Sequence, residues 1–280
     1  MRHSFDKLKT GMTDKYAVVG NPVAHSKSPH IHAEFARQTG QDISYEAILA
    51  PLDGFAESIE RLRDEGYKGC NITVPFKFEA FQLATQLTMR AKSAQAVNTL
   101  KFDGEIMVGD NTDGAGLVTD IEHNLACRLR GKHVLLMGAG GAAYGVALPL
   151  LNAGAIITVA NRTVKKAHQL ATAFTAKAHI NGSSYQALAG SQFDFVINAT
   201  SSGLTDAMPA LPSGIFAPGA VAYDMMYDKE TPFMQFARGQ GAATISDGLG
   251  MLVEQAAEAF FLWRNIRPDT APILAKLRAK

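Results

Sequence analysis

A glycine-rich turn between a short apolar strand and a helical pattern constrains the fold of this chain more than any other feature. The strand is expected at residues 132–137, and the turn after it reads Gly138-Ala139-Gly140-Gly141-Ala142-Ala143. Gly138 permits a tight turn, Gly140 lets the backbone approach a ligand, and Ala143 lets the helix pack closely on the strand. The unpaired N–H groups at the helix start favour phosphate. The sequence therefore predicts a βαβ unit that binds a dinucleotide, and the predicted contacts are Gly138, Ala139, Gly140, Gly141 and Ala142.

Apolar runs alternate with helical patterns along the rest of the chain, which predicts an α/β fold with mainly parallel strands. Strands are expected at 16–20, 43–49, 68–73, 97–102, 132–137, 155–160, 193–198, 219–224 and 242–245. Helices are expected near 28–39, 53–65, 76–94, 115–129 and 248–266. The helix at 115–129 follows a glycine-flanked turn and is a candidate bridge between two domains. Residues 1–11 precede a natural start at Met12 and are expected to be a disordered extension.

Composition excludes several classes of function. The 27 Lys and Arg residues against 26 Asp and Glu give a net charge of +1, which argues against a nucleic-acid partner. No apolar run reaches the ~20 residues that cross a bilayer, and the polar start lacks the apolar centre of a secretory signal. The two cysteines, Cys70 and Cys127, provide no disulfide framework. A cytoplasmic protein with no membrane partner is the expectation.

No metal site is predicted either. His25, His30 and His32 crowd one segment, but their spacing of five and two residues is not a convincing helical ligand set. Neither cysteine nor an acidic cluster completes them.

The end of the strand at 155–160 predicts which dinucleotide binds. An NAD site usually places Asp or Glu here, to accept a hydrogen bond from the ribose 2′-hydroxyl. This chain has Asn161-Arg162-Thr163 instead, and a guanidinium can bind a 2′-phosphate with charge-assisted hydrogen bonds. The alternative is a threonine that starts a helix beside exposed basic residues. We predict NADP, with Asn161, Arg162 and Thr163 as contacts.

The segment Asn71-Ile72-Thr73-Val74-Pro75-Phe76-Lys77 places polar groups around a proline-stiffened turn. Asn71 and Thr73 point the same way on an extended backbone, and Pro75 stiffens the strand end. Lys77 follows where a helix can begin. The arrangement suits a polyhydroxylated small molecule beside a proton-donating ammonium group. The alternative is a strand, a turn and a solvated lysine.

Four further motifs decide between these alternatives. They are Ser26-Lys27-Ser28-Pro29-His30, Ala96-Val97-Asn98-Thr99, Gly109-Asp110-Asn111-Thr112-Asp113-Gly114, and the segment from Gly248 to Gln255. With the segment at 71–77 and the turn at Gly138, they resemble the shikimate dehydrogenase family in kind and order. The resemblance extends from about Tyr16 to about Trp263.

The resemblance implies two domains. Residues 12–113 would bind substrate and carry out catalysis, completed by C-terminal helices within 249–280. Residues 114–248 would form a Rossmann-type NADP-binding domain. The implied reaction is the reversible reduction of 3-dehydroshikimate to shikimate in aromatic amino-acid biosynthesis.

The resemblance also implies roles for individual side chains. Hydride transfer to a ketone leaves an alkoxide that needs a proton, and Lys77 with Asp113 would form the acid–base pair. The implied substrate contacts are Ser26, Ser28, Asn71, Thr73, Asn98, Tyr227 and Gln255, with Ser26, Ser28 and Thr73 at the carboxylate. Further cofactor contacts would be Thr200, Met225 and Gly248.

Two rival functions remain open from the sequence. One is a quinate/shikimate dehydrogenase that uses NAD, which the absence of an acidic residue beside Arg162 disfavours. The other is a non-catalytic ligand sensor, which the presence of both Lys77 and Asp113 disfavours. The oligomeric state is also open between a monomer and a homodimer.

Overall fold

The computed structural model describes residues 13–174, 179–200, 208 and 210–279, and within them the strands form two six-stranded sheets. The first sheet contains β1 (Asp14–Gly20), β2 (Ile43–Leu49), β3 (Gly69–Ile72), β4 (Gln86–Leu87), β5 (Thr99–Asp103) and β6 (Ile106–Asp110). Its helices are α1 (Ser28–Thr39), α2 (Phe55–Asp64), α3 (Lys77–Leu83) and α4 (Met89–Ala94).

The first sheet has the order β2-β1-β3-β5-β6-β4, and β5 runs antiparallel to both of its neighbours. The run Tyr16-Ala17-Val18-Val19 is buried because β1 lies between β2 and β3 with helices over the sheet. Helix α1 begins with Pro29 in its first turn, where no N–H partner is needed, and ends at Gly40 in a left-handed conformation. The peptide bonds before Pro22 and Pro75 are cis.

The second sheet is wholly parallel, with the order β12-β11-β10-β7-β8-β9. Its elements are β7 (His133–Met137), α6 (Gly141–Asn152), β8 (Ile156–Ala160), α7 (Val164–Ala173), β9 (Ile180–Ser183), β10 (Phe193–Asn198), β11 (Phe216–Asp224), α8 (Pro232–Gly239) and β12 (Thr244–Ser246). The strand order reverses beside β7, which is the position where a doubly wound sheet opens a crevice for a dinucleotide.

Helices join the two sheets. They are α5 (Asp113–Thr119), which continues into a π-helical turn (Asp120–Asn124), followed late in the chain by α9 (Leu249–Arg264) and α10 (Ala271–Arg278). Helix α9 returns to α1, where Val253 and Phe260 pack on Ile31 and Phe35. It also crosses α5 so closely that a Cβ at Gly116 would lie 2.7 Å from a backbone nitrogen of α9.

The α/β fold with mainly parallel sheets is confirmed, but several elements differ from the expected ones. The helix expected at 76–94 is two helices, α3 and α4, separated by the short strand β4. The helix expected at 115–129 ends at residue 124, because the chain turns at Ala126, which has a φ of 53°. Strands β4, β6 and β9 and helix α8 were not expected, whereas α10 lies within the C-terminal helices expected at 249–280. Residues 1–11 lie outside the described residues. None of the described helices is long and apolar enough to cross a bilayer.

Candidate active site

A cleft of about 1070 Å³ lies where both sheets end, and residues from both of them line it. The first sheet and its connections contribute Ser26, Ser28, Asn71, Thr73, Lys77, Asn98 and Asp113. The second contributes Gly138, Ala139, Gly140, Gly141, Ala142, Asn161, Arg162, Thr200, Met225 and Tyr227, while Gly248 and Gln255 come from the segment that begins α9. The structure thus gathers into one cleft the predicted residues of both ligand sites, with the exception of Thr163.

An ion pair lies in the cleft. Lys77 is the first residue of α3 and Asp113 is the first residue of α5, so two helix starts place them together. The Lys77 Nζ and Asp113 Oδ2 atoms are 2.6 Å apart, and the side chains are only 17% and 7% exposed. Partial burial weakens screening by solvent, so the carboxylate holds the ammonium group firmly in place.

The side-chain amide of Asn98 fixes the other carboxylate oxygen of Asp113, Oδ1. The Asn98 Nδ2 donates to Asp113 Oδ1 at 2.8 Å and to Thr112 Oγ1 at 2.9 Å, and it lies 3.4 Å from Gln255 Oε1. The Thr112 backbone N–H donates back to Asn98 Oδ1 at 2.8 Å. Because Asn98, Thr112 and Asp113 are all buried, this network sets the carboxylate before any ligand arrives.

Hydroxyl groups also line the first-sheet side of the cleft. Ser26 and Ser28 lie at the start of α1, where the Ser28 N–H donates to Ser26 Oγ at 3.3 Å. Thr73 follows β3, and its N–H donates to the Val19 carbonyl at 2.9 Å. Hydroxyls near a helix N-terminus favour a negatively charged ligand group.

The glycine turn after β7 is shaped for the approach of a ligand backbone or phosphate. Gly138 has a φ of 106°, a region that residues with a Cβ rarely adopt. Gly140 precedes the first turn of α6, and nothing lies within 4 Å of where its Cβ would be. The N–H groups of α6 are therefore reachable from the cleft.

The end of β8 carries the predicted 2′-phosphate residues. Asn161 and Arg162 line the cleft, and Asn161 Nδ2 donates to the Thr163 carbonyl at 3.0 Å. Thr163 itself is exposed at the start of α7 and does not line the cleft. At the end of β10, Thr200 Oγ1 donates to Asn198 Oδ1 at 2.7 Å. The rest of that motif, residues 201–203, lies outside the described residues.

A buried carboxylate holds the loop after β11. Asp224 accepts hydrogen bonds from Asn198 Nδ2 at 3.1 Å, Thr231 Oγ1 at 2.5 Å and the Met226 N–H at 3.0 Å. Burial raises the pKa of Asp224, and these hydrogen bonds offset part of the rise. Gly248 is required beside the loop, because a Cβ there would lie 2.3 Å from the Met225 carbonyl oxygen.

Contacts also join the two sides of the cleft. Lys27 Nζ lies 2.9 Å from Asp228 Oδ2, and the two side chains are 32% and 49% exposed. Burial raises the pKa of the neighbouring Tyr227, and the Asp228 charge raises it further. Tyr227 is thus a neutral hydroxyl in the lining of the cleft.

The sequence analysis missed three residues of this site. Thr112 lies within the motif at residues 109–114 and was detectable from the sequence as the neighbour of Asp113. Asp224 falls at the end of the strand expected at 219–224 but was not recognised as the residue that holds the following loop. Tyr45, which donates to Asn71 Oδ1 at 2.7 Å, had no sequence signal because its alternating strand resembles any half-buried strand. Across the described residues, no three His, Cys, Asp or Glu side chains are grouped as metal ligands would be.

Models of known families match three segments of the chain. They are the shikimate dehydrogenase substrate binding domain at residues 18–100, shikimate / quinate 5-dehydrogenase at 120–205, and the shikimate 5'-dehydrogenase C-terminal domain at 248–278. The chain is 59% identical over 268 residues to the shikimate dehydrogenase (NADP(+)) of Methylobacillus flagellatus, covering 95% of this chain and 99% of that one. It is 61% identical over 271 residues to that of Dechloromonas aromatica, with coverages of 96% and 99%.

The chain belongs to the shikimate dehydrogenase family. Solved structures of the family agree with the fold. The shikimate dehydrogenase of Aquifex aeolicus has a TM-score of 0.84 at 31% identity, over 96% of this chain and 98% of that one. The shikimate 5-dehydrogenase of Thermus thermophilus, solved in complex with NADP(H) and shikimate, has a TM-score of 0.83 at 32% identity, over 95% and 99%. Both are similar to this chain over both halves of the cleft.

Proposed function

We propose that the protein is an NADP-dependent shikimate dehydrogenase, which reversibly reduces 3-dehydroshikimate to shikimate in aromatic amino-acid biosynthesis. The observation that carries the proposal is the Lys77–Asp113 pair, held at 2.6 Å in the same cleft as the glycine turn after β7. The curated relatives named above carry this activity in their names and cover nearly the whole chain. A non-catalytic sensor has no need of an ordered acid–base pair.

The residues present fit NADP. The open position at Gly140 leaves room for a pyrophosphate against the start of α6, and Arg162 supplies a cation at the end of β8. We assign the pyrophosphate to residues 138–142 and the 2′-phosphate to Asn161 and Arg162, with Thr163 supporting the turn. Thr200, Met225 and Gly248 are assigned to the rest of the cofactor.

The bound cofactor supplies a hydride to the substrate carbonyl carbon. The chain supplies the proton: the Lys77 ammonium hydrogen-bonds the carbonyl oxygen, stabilises the negative charge that develops there and donates a proton to it. Asp113 orients the ammonium group and, through Asn98, is itself fixed. In the reverse direction the pair removes the proton from the hydroxyl.

The substrate is assigned to the first-sheet side of the cleft. Ser26, Ser28 and Thr73 bind its carboxylate through hydroxyls, with Asn71 beside them. Asn98 and Asp113 hold neighbouring ring hydroxyls, and Gln255 and Tyr227 complete the contacts. Support comes from the short distances within this network and from the hydroxyls at the start of α1.

The domain division follows the same assignment. We propose that residues 12–113 together with 249–280 form the substrate domain, and that 114–248 form the cofactor domain.

One chain lines the whole cleft, so the activity is proposed for a monomer and a homodimer alike. A cytoplasmic location is supported by two free cysteines, Cys70 and Cys127, which suit a reducing compartment.

Paired initial rates test the function. Shikimate and quinate are each supplied with NADP and NAD, and Lys77→Ala purified in the same way controls for contaminating host enzyme. We expect the highest kcat/KM with shikimate and NADP. Comparable rates with NAD, or a preference for quinate, would replace the assignment with the quinate/shikimate alternative, and no turnover with any pair would favour a sensor.

A further inference from the structure

The side-chain amide of Asn71 accepts a hydrogen bond from a residue that does not line the cleft. Tyr45 lies on β2 and Asn71 on β3, with β1 between them in the sheet. The Tyr45 hydroxyl reaches over β1 and donates to Asn71 Oδ1 at 2.7 Å. Asn71 is only 5% exposed, so this oxygen has little access to water.

The other end of the amide has its own partners. Asn71 Nδ2 donates to Thr99 Oγ1 at 3.0 Å and to the Asn98 carbonyl at 3.3 Å. A flipped amide would place Oδ1 against that carbonyl oxygen, so the amide has one acceptable orientation. In that orientation the Tyr45 hydroxyl donates to Oδ1, and its loss would remove this hydrogen bond from a buried acceptor.

Tyr45 is itself rigidly placed. Its ring stacks on His32, with 4.2 Å between ring centroids and 5° between the planes. His32 is buried, and this burial lowers its pKa to about 3, so the imidazole stays neutral at physiological pH. Burial raises the pKa of Tyr45 well above its usual value, and a hydrogen bond from the Ser28 side chain offsets part of the rise. The hydroxyl therefore keeps its proton for donation.

We propose that Tyr45 is a positioning residue for substrate binding, whose hydroxyl fixes the Asn71 amide in the geometry that receives shikimate. The inference rests on the proposed role of Asn71 as a substrate contact. Because the Tyr45 hydroxyl donates to Asn71, and the Lys77 ammonium pairs with Asp113, loss of the hydroxyl affects binding and leaves proton transfer intact.

Tyr45→Phe tests the proposal, since it removes the hydroxyl and keeps the stacked ring. We expect the KM for shikimate to rise about 2- to 12-fold, the range of one neutral hydrogen bond. The kcat and the KM for NADP should change less than twofold. Tyr16→Phe is the matched control: Tyr16 belongs to the same aromatic cluster, stacking on Trp263, but its hydroxyl contacts Arg264. This control should keep the wild-type KM for shikimate.

A double-mutant cycle with Asn71→Ala shows whether Tyr45 acts through the amide. Asn71→Ala should raise the KM for shikimate, and adding Tyr45→Phe to it should produce a much smaller rise than Tyr45→Phe produces in the wild type. The proposal is overturned if the two effects multiply, if Tyr45→Phe and Tyr16→Phe behave alike, or if Tyr45→Phe does not fold, because its hydroxyl would then serve stability. Failure of the wild-type chain to turn over shikimate would instead reject the proposed function itself.

Discussion

The two sides of the cleft are built in different ways. On the first-sheet side, polar side chains bind one another: Asn71, Asn98 and Asp113 are at most 5% exposed and each has defined hydrogen-bond partners. On the second-sheet side, the glycine turn and the start of α6 present backbone to the cleft, with the exposed Arg162 also in its lining. A small ring with several hydroxyls needs side chains fixed in advance, whereas a long phosphate-bearing ligand can be bound by N–H groups and one flexible cation.

The comparison predicts that substitutions on one side affect one ligand. The largest effect belongs to Lys77, the group assigned to proton transfer. Lys77→Ala should lower kcat by roughly 10²- to 10⁴-fold with a smaller change in the KM for shikimate. Steady-state rates at saturating NADP measure both, and Lys92→Ala, an exposed lysine on α4, is the control. A near-normal kcat in Lys77→Ala would remove this residue from the mechanism.

Asp113 should act together with Lys77 as one functional unit. Asp113→Asn is expected to raise KM and to lower kcat, because the carboxylate is assigned to a substrate hydroxyl and also orients Lys77 at 2.6 Å. The Lys77→Ala/Asp113→Asn double variant should be little worse than the poorer single variant. Multiplying losses would show two independent roles.

On the cofactor side, Arg162 should decide the choice between NADP and NAD. Loss of one charge-assisted contact of roughly 1.5–3 kcal/mol corresponds to about 10- to 150-fold in affinity, and neighbouring Lys165 favours the lower end. Arg162→Ala should weaken NADP by that factor and leave NAD nearly unchanged, while Arg162→Asp should shift preference further towards NAD. Equal losses for the two cofactors would make Arg162 a structural residue. Lys166→Ala controls for loss of general positive charge.

Thr73 tests the separation from the substrate side. Thr73→Val should raise the KM for shikimate about tenfold, towards the lower end expected for a hydrogen bond to a charged group, because Ser26 and Ser28, also assigned to the carboxylate, are unchanged. The dissociation constant of NADP, measured by fluorescence titration, should not change. An equal loss of cofactor affinity would contradict the division of the cleft into two sides.

The smallest effect belongs to the contact that joins the sides. Asp228→Asn removes the Lys27–Asp228 pair, and an exposed pair contributes about 0.2–1 kcal/mol, so KM values should rise less than about fivefold. The difference from wild type should vanish at high salt. Glu230→Gln is the control, since Glu230 pairs with Arg238 on its own side of the cleft. A salt-independent loss would mean that Asp228 contacts a ligand directly.

The second sheet was more predictable from sequence than the first. Its strands are short apolar runs between turn signals, and the glycine turn fixes where its first helix begins. Strand β9 escaped prediction because Ile180 is its only apolar residue. In the first sheet, β5 and β6 form an antiparallel pair that interrupts the parallel pattern, although Asp103-Gly104 was a usable hairpin signal.

The site was predictable as a set of residues but not as a network. Motifs place Lys77 and Asp113 at the starts of two helices and Asn98 just before β5. Because β5 is antiparallel to β3 and β6, its start lies beside the carboxyl ends of those two strands, from which the helices follow. The contact between Tyr45 and Asn71 depends on the sheet order β2-β1-β3, and a single sequence does not show that order. The same holds for the pair between Lys27 and Asp228, which joins the segment before α1 to the loop after β11.

The packing of α9 on α1 has a consequence for synthesis of the chain on the ribosome. Ile31 and Phe35 are translated long before Val253 and Phe260, which cover them in the folded protein. The apolar side of α1 therefore remains uncovered while the entire second sheet is translated, and the nucleotide-binding half of a nascent chain can fold first. The packing around α1 can therefore be completed only when translation is nearly finished.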